Sequence, residues 1–350
     1  MRIVNRLDGF RRVLALVGVP LLVACAAAPP PIPPVGGGTP RFEDRAPNRA
    51  MSPDRAKTLL EHGRLEVVSE RYAGRGVTGA SRMEVRFPDD GGRLTVKWKS
   101  VPPGLDRFNN SPRREIAAYA VQRLVLDPED FVVPLSVLRC LTAEELSGVG
   151  REPSGRVDSL ACELGVFSVW LEDVTVPSPL FDPARFGADP VYAHYLANFN
   201  LLTYLIRHKD GRDGNFLAAR DPERPIVFSV DNGVAWSGRI FNWFVPNWDE
   251  IRVPALRRRT VDRLRTLDRS DLLALGVVAQ LEVDDDGVAR PSPPGANFDP
   301  RHGARRSGRV IQLGLTRDEI EELEERIEEL LEKVDEGEIQ LFGAAEGRRP

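Results

Sequence analysis

The residues best suited to chemistry lie in the run Arg207-His208-Lys209-Asp210-Gly211-Arg212-Asp213-Gly214-Asn215-Phe216-Leu217, which contains the spacing H-x-D-x-x-x-x-N. The carboxylate of Asp210 is spaced to accept a hydroxyl proton, and Asn215 to bind a divalent metal carried by nucleotide phosphates. Asp213 is an alternative base with a less fitting distance to Asn215. Sixteen residues beyond Asn215, Asp231 ends a strand-like run in Asp231-Asn232-Gly233 and is a second metal candidate. Upstream, Lys97 and Lys99 alternate in Arg93-Leu94-Thr95-Val96-Lys97-Trp98-Lys99, so both ammonium groups share one face of a strand. Glu115, in Arg113-Arg114-Glu115-Ile116-Ala117-Ala118-Tyr119, supplies a helix-start carboxylate able to fix such a lysine. Gly74, Gly76 and Gly79 complete a G-x-G-x-x-G pattern. It precedes a strand rather than a helix, which suits a loop covering phosphates better than a dinucleotide fingerprint. Each feature alone has a plain structural alternative: a hairpin turn, a solvated lysine, a dipole-favoured glutamate, an Asp-Gly turn.

The elements that must position these residues follow from local pattern. Ser52-Pro53-Asp54 predicts a helix running to about His62. Strand patterns follow at 65–71, 82–87 and 93–99, the last two joined by the turn Pro88-Asp89-Asp90-Gly91-Gly92. Ser111-Pro112 opens a helix ending near Asp127-Pro128, with Ile116, Ala117, Ala120 and Leu124 on one face. Residues 137–141 and 161–171 read as an antiparallel pair around a long polar loop. Residues 191–207 are apolar and aromatic nearly all round, which predicts a buried helix. Strands at 216–218 and 226–230, helices at 254–267 and 270–276, and a Pro-, Gly- and Arg-rich loop at 285–309 complete the middle. A capping box, Thr316 to Glu319, starts a final helix.

Taken together, Asp210…Gly214-Asn215-Phe216-Leu217 followed by Asp231-Asn232-Gly233-Val234-Ala235-Trp236 resembles the phosphoinositide 3-/4-kinase-like branch of atypical kinases, with related secretory-pathway protein kinases. Arg114-Glu115-Ile116-Ala117-Ala118-Tyr119 is similar to the E-x-A-A-Y-type helix of such proteins, and the resemblance spans roughly residues 65–270. It implies an α+β, bilobal protein-kinase-like fold with a β-rich amino-terminal lobe and a mostly helical carboxy-terminal lobe. It further implies ATP with Mg²⁺ or Mn²⁺ as cofactors. Lys97 would sit on the nucleotide phosphates with Glu115 as its ion-pair partner, Asp210 would be the catalytic base, and Asn215 and Asp231 the metal ligands. Val169-Trp170-Leu171-Glu172 would be the hinge, with Leu171 among the backbone groups facing adenine. Lys99 competes with Lys97, and no A-P-E-type segment follows Asp231, so the acceptor, whether protein, lipid or small molecule, is not legible.

The chain has 350 residues, 42% hydrophobic and 29% charged, an ordinary balance for a folded protein. Residues 1–24 are basic then apolar and end in Leu22-Val23-Ala24-Cys25, which resembles the lipobox of bacterial lipoproteins. The expected organisation is a signal peptide at 1–24, a Pro/Gly-rich tether at 25–50, and kinase-like lobes at 51–171 and 172–350. The domain would then be exported and held on a cell membrane or outer membrane by lipidated Cys25. The formal net charge is −4, and −7 once the +3 of residues 1–24 is removed. Outside the cytoplasm a disulfide between Cys140 and Cys162 is permitted. Four scattered histidines exclude the common zinc patterns, no G-x-S-x-G occurs, and the arginines between 252 and 269 are the sole basic cluster, so nucleic acid is not an expected partner. An exported site is poor in ATP. The alternative to a membrane-anchored kinase-like phosphotransferase is therefore an inactive kinase-like binding or scaffolding lipoprotein.

Overall fold

Apolar alternation in three consecutive strands builds the first sheet. In the computed structural model, which describes residues 48–73, 79–107, 110–154, 157, 160–212, 214–236 and 248–343, α1 (Pro53–His62) leads into β1 (Glu66–Tyr72), β2 (Ser81–Arg86) and β3 (Arg93–Ser100). Gly74, Gly76, Asp213 and Cys25 lie outside the described residues. Leu94, Val96 and Trp98 of β3 face the core, so Lys97 and Lys99 face the other way. Next come α2 (Pro112–Val125), β4 (Ser136–Leu141), the single turn α3 (Ala143–Leu146) and β5 (Glu163–Val169). The five strands form one antiparallel sheet in the order β1-β2-β3-β5-β4. Cys140 of β4 and Cys162, just before β5, are bonded with their Cα atoms 5.4 Å apart, as the paired strands led one to expect.

The second part is mostly helical. A short strand, β6 (Val174–Thr175), is followed by α4 (Pro183–Ala188) and α5 (Pro190–Leu205), whose residues from Tyr192 to Leu205 are all buried. The hairpin β7 (Phe216–Ala219) and β8 (Val227–Ser229) pairs with β6. Then come β9 (Ala255–Arg257), α6 (Arg258–Leu264) and α7 (Arg269–Ala274). The helix expected over 254–267 thus begins as a strand, because Ala255–Arg257 pairs in parallel with a strand at the far end of the chain.

The loop expected at 285–309 is a correction. Strands β10 (Ala279–Val283), β11 (Ala289–Pro291), β12 (Ala304–Ser307) and β13 (Val310–Leu313) form an antiparallel sheet in the order β11-β10-β13-β12. Its strands are too short for a clear alternation, and Pro291 is tolerated because it ends an edge strand. Leu281, Val283, Ala289, Ile311 and Leu313 bury themselves against the Cys140–Cys162 end of the first sheet. Finally α8 (Arg317–Asp335), capped by Thr316 and Glu319, buries Ile320, Leu323, Ile327 and Leu330, and β14 (Gln340–Phe342) closes on β9. The result is an α+β plan: a β-rich first part holding α2, and a second part that carries the long helices α5 and α8. Among the described residues, no helix is long and apolar enough to cross a membrane.

Candidate active site

Lys97, Lys99, Glu115, Asp210, Asn215 and Asp231 come from four separate segments, and the fold links them through a chain of contacts. β3 delivers the two lysines. Ser111 precedes α2 in extended conformation and Pro112 occupies its first turn, so Glu115 falls one turn into the helix. Glu115 is buried, and its Oε1 lies 3.3 Å from Lys99 Nζ and 3.8 Å from Lys97 Nζ. Its Oε2 accepts the backbone N–H of Asn232 at 2.9 Å. Lys97 also makes an ion pair with Asp231, and Lys99 donates to the Asn110 side chain.

The two lysines differ electrostatically. Burial depresses the Lys97 ammonium, but the carboxylates of Glu115 and Asp231 outweigh it and hold its pKa above the usual value. For Lys99 burial wins, aided by the neighbouring Lys97 charge, and its pKa falls. Lys97 is thus the firm cation of the site, with Lys99 tucked beneath it.

The β7–β8 hairpin sets Asn215 beside Asp231. Val230 N–H donates to Asn215 C=O at 2.8 Å, which ties the two strand ends together. Asp231 adopts the left-handed conformation, φ 61°, a strained backbone held by contacts on both sides. Burial raises the Asp231 carboxyl, yet Lys97 and then Lys99 more than compensate and keep it below the ordinary carboxylate range. The next residues are pinned too. Asn232 exchanges hydrogen bonds with Ser229, 2.7 Å from Ser229 Oγ and 3.1 Å to Ser229 C=O, while Ser111 N–H donates to Gly233 C=O at 2.8 Å. A Cβ on Gly233 would collide with the Asn110 side chain and Lys99 Nζ, so this close approach requires glycine.

Asp210 lies in the loop that follows α5. Its N–H donates to His208 Nδ1 at 3.3 Å, and its C=O accepts from Asn215 Nδ2 at 3.0 Å. That bond orients the Asn215 amide and leaves its Oδ1 without a donor among the described residues. A catalytic base belongs at the open side of the site. Instead the Asp210 side chain is 2% exposed, because Arg212 lies over it and donates to both carboxylate oxygens.

At the expected hinge, Trp170 N–H donates to Thr95 C=O at 2.9 Å and Glu172 N–H to Asn48 C=O at 3.0 Å. Asn48 Nδ2 returns a bond to Glu172 C=O at 2.7 Å. Leu171 N–H, between them, has no partner among the described residues. Gly79 is described, with φ 68°, at the edge of the glycine loop.

A metal-bearing nucleotide fits this donor set. Asn215 and Asp231 supply oxygen donors, two being too few for a protein-only site and suitable for an ion that also takes phosphate oxygens and water. Among the described residues no cluster of three or more His, Cys, Asp or Glu side chains forms a metal site of its own. Spacing along the sequence singles out Asp210, Asn215 and Asp231. It gives no sign that Arg212 would cover Asp210, although Arg212 lies inside the same motif. The part played by the Asn232 N–H, a backbone group, has no side-chain signal at all.

Fold and site together are an α+β arrangement in which a β-rich first part supplies Lys97, Lys99 and Glu115 and the second part supplies Asp210, Asn215 and Asp231. No protein-family model matches the sequence, and no curated protein matches it. Among solved structures, the chain is similar to a hydra Fam20 determined with sugar, at 14% identity over 86% of this chain and 96% of that one, with a TM-score of 0.49. It is also similar to a Golgi casein kinase with Mn/ADP bound, at 14% identity over 84% of this chain and 80% of that one, with a TM-score of 0.47.

Proposed function

We propose that the protein is a membrane-anchored, kinase-like phosphotransferase that uses ATP with Mg²⁺ or Mn²⁺ and transfers to an alcohol-bearing acceptor, in the manner of the phosphoinositide 3-/4-kinase-like and secretory atypical kinases. Its lobes would be residues 51–171 and 172–350, tethered through 25–50 to an acylated Cys25 after removal of 1–24. The single observation that carries the activity is the Lys97 ammonium lying between the carboxylates of Glu115 and Asp231, with Asn215 tied to the same strand end.

Lys97 would neutralise phosphate oxygens while Glu115 keeps it from swinging away. Asn215 and Asp231 would hold the metal, which supplies charge neutralisation on the transferring phosphoryl group. Leu171 N–H is available to an adenine acceptor nitrogen. Asp210 would take the acceptor hydroxyl proton once Arg212 moves off its oxygens. Gly74, Gly76 and Gly79 would cover the phosphates.

A thermal-shift titration with ATP and Mg²⁺ or Mn²⁺ tests this, since ligand that binds only the folded state raises the melting temperature. Stabilisation that needs nucleotide and metal together is expected, and its absence defeats the proposal. Intact-mass analysis at Cys25 in the native host tests the anchor, an unmodified thiol being the opposing result. The Arg212 clasp favours one second function, a nucleotide-binding scaffold without turnover. Binding without phosphate release or acceptor labelling would select it.

A further inference from the structure

Glu319, the third residue of α8, is only 7% exposed and does two things at once. Its Oε2 accepts the Thr316 N–H at 2.9 Å, closing the helix's own capping box. The same carboxylate receives the guanidinium groups of Arg113 and Arg114, with Arg113 Nη1 2.6 Å from Oε2, Arg114 Nη2 2.9 Å from Oε1 and Arg114 Nε 3.1 Å from Oε1. Both arginines are buried, and Arg113 is further fixed by Asp106 at 2.7 Å and the Gly314 carbonyl at 3.0 Å. They are the two residues before Glu115. One and two turns further along α8, Glu322 pairs with Arg207, just after α5 on the way to Asp210, and Arg326 Nε donates to Tyr204 C=O, in the last turn of α5, at 2.8 Å. One face of α8 therefore touches the first turn of α2 and the entry to the Asp210 loop.

We propose that Glu319 is a positioning residue: through Arg113 and Arg114 it holds Glu115 against the two lysines and the Asn232 N–H, so that the carboxy-terminal helix sets the strength of the phosphate-binding end of the site. This deepens the function proposed above and rests on it for the nucleotide, though not for the geometry. Without the shared carboxylate Arg114 loses its acidic partner and Arg113 keeps only Asp106, so a buried guanidinium is left uncompensated and the first turn of α2 must shift to hydrate it. Glu115 sits on that turn.

Glu319→Gln isolates the effect, because glutamine also serves at this position of a capping box and α8 keeps its start. Amide hydrogen exchange is read at Asn232, whose N–H reports directly on Glu115, and Mg-ATP affinity is read alongside. Exchange at Asn232 is expected to quicken by roughly tenfold and affinity to fall by a similar factor. Leu323→Ala, which loosens α8 packing without touching the arginines, is expected to change neither beyond its global effect on α5 amides. In a Glu115→Gln background, Glu319→Gln is expected to add nothing further to the affinity loss, since one residue acts through the other. Unchanged Asn232 exchange in Glu319→Gln, or fully additive losses in the double variant, overturns the proposal. A wild-type protein that binds no nucleotide overturns the proposed function instead, and the exchange result still decides the role of Glu319. If Glu319→Gln does not fold, Arg114→Lys, which keeps the charge and loses the paired contact to Oε1, is read the same way, with unchanged Asn232 exchange again refuting it.

Discussion

Arg212 holds both carboxylate oxygens of Asp210, its Nε standing 2.5 Å from Oδ1 and its Nη2 donating to Oδ2. The arginine side chain is 57% exposed and the aspartate 2%, so the guanidinium is a cover facing solvent. A bidentate arginine occupies the directions from which a hydroxyl would approach. Replacing Arg212 by Ala is therefore expected to raise metal-dependent ATP turnover about 2- to 5-fold, the scale of opening one solvent-facing ion pair in each cycle. Steady-state phosphate release measures it, and a fall in turnover would show that Arg212 assists Asp210 instead of restraining it.

Lys97 and Lys99 should separate by phenotype. Lys97→Met removes the firm cation of the site and is expected to abolish Mg-ATP stabilisation with little loss of apo stability. Lys99 is buried on Glu115 and Asn110, so Lys99→Met is expected to cost on the order of 1–3 kcal/mol by leaving those partners short of a donor. Paired denaturant melts and nucleotide titrations decide it, and the reverse pattern would make Lys99 the phosphate ligand.

Asp231→Ala is expected to lower metal-dependent turnover by roughly 100-fold or more, the scale for losing one preorganised charge-stabilising group. Its carboxylate is 38% exposed, so the fold should barely change. Near-wild-type Mg²⁺ dependence in this variant would remove Asp231 from the metal site.

His208 is wholly buried between the Asp210 loop and the Phe216 ring, and burial pulls its imidazole down to about 4 from 6.5. The unfolded chain takes up a proton that the folded one refuses, so stability is complete above pH ~6.5 and declines as pH falls toward ~4. The whole decline from this group is roughly 3 kcal/mol. Urea melts of wild type and His208→Asn at pH 7 and pH 4.5 measure it. The His208→Asn variant should lose less stability than wild type across that interval, and equal losses would exonerate the imidazole.

The Cys140–Cys162 bridge closes a separation of 22 residues at the seam where the first sheet meets β10–β13. In the chain-entropy account such a loop contributes roughly 3 kcal/mol. Cys140→Ser with Cys162→Ser is expected to lower denaturant stability by about that amount. Free-thiol labelling of both cysteines in exported protein would show that the bridge does not form there.

Local rules made much of the chain legible. The Pro88–Gly92 turn, Ser111-Pro112 before α2 and the Thr316–Glu319 capping box are short-range hydrogen-bonding and φ preferences, and each element formed near its expected place. Asp210 and Asn215 lie together because they are only five positions apart along the chain, and Asp231 joins them because a hairpin returns the chain to the same end. What the sequence left open depends on groups remote along the chain. Glu319 reaches Arg113 across 206 positions, Asn48 reaches Glu172 across 124, and nothing in either neighbourhood names the other. The difference between Lys97 and Lys99 lies in how far each is buried and which carboxylates face it, properties of packing that strand alternation does not contain. The sheet at 279–313 was hidden for a related reason: strands of three to five residues carry too little periodicity to announce themselves, and only burial against Cys140, Cys162 and their neighbours gives them an apolar face. Periodicity and capping act over a few residues and are written in order along the chain, whereas desolvation and charge pairing act through space and exist only once the fold has closed.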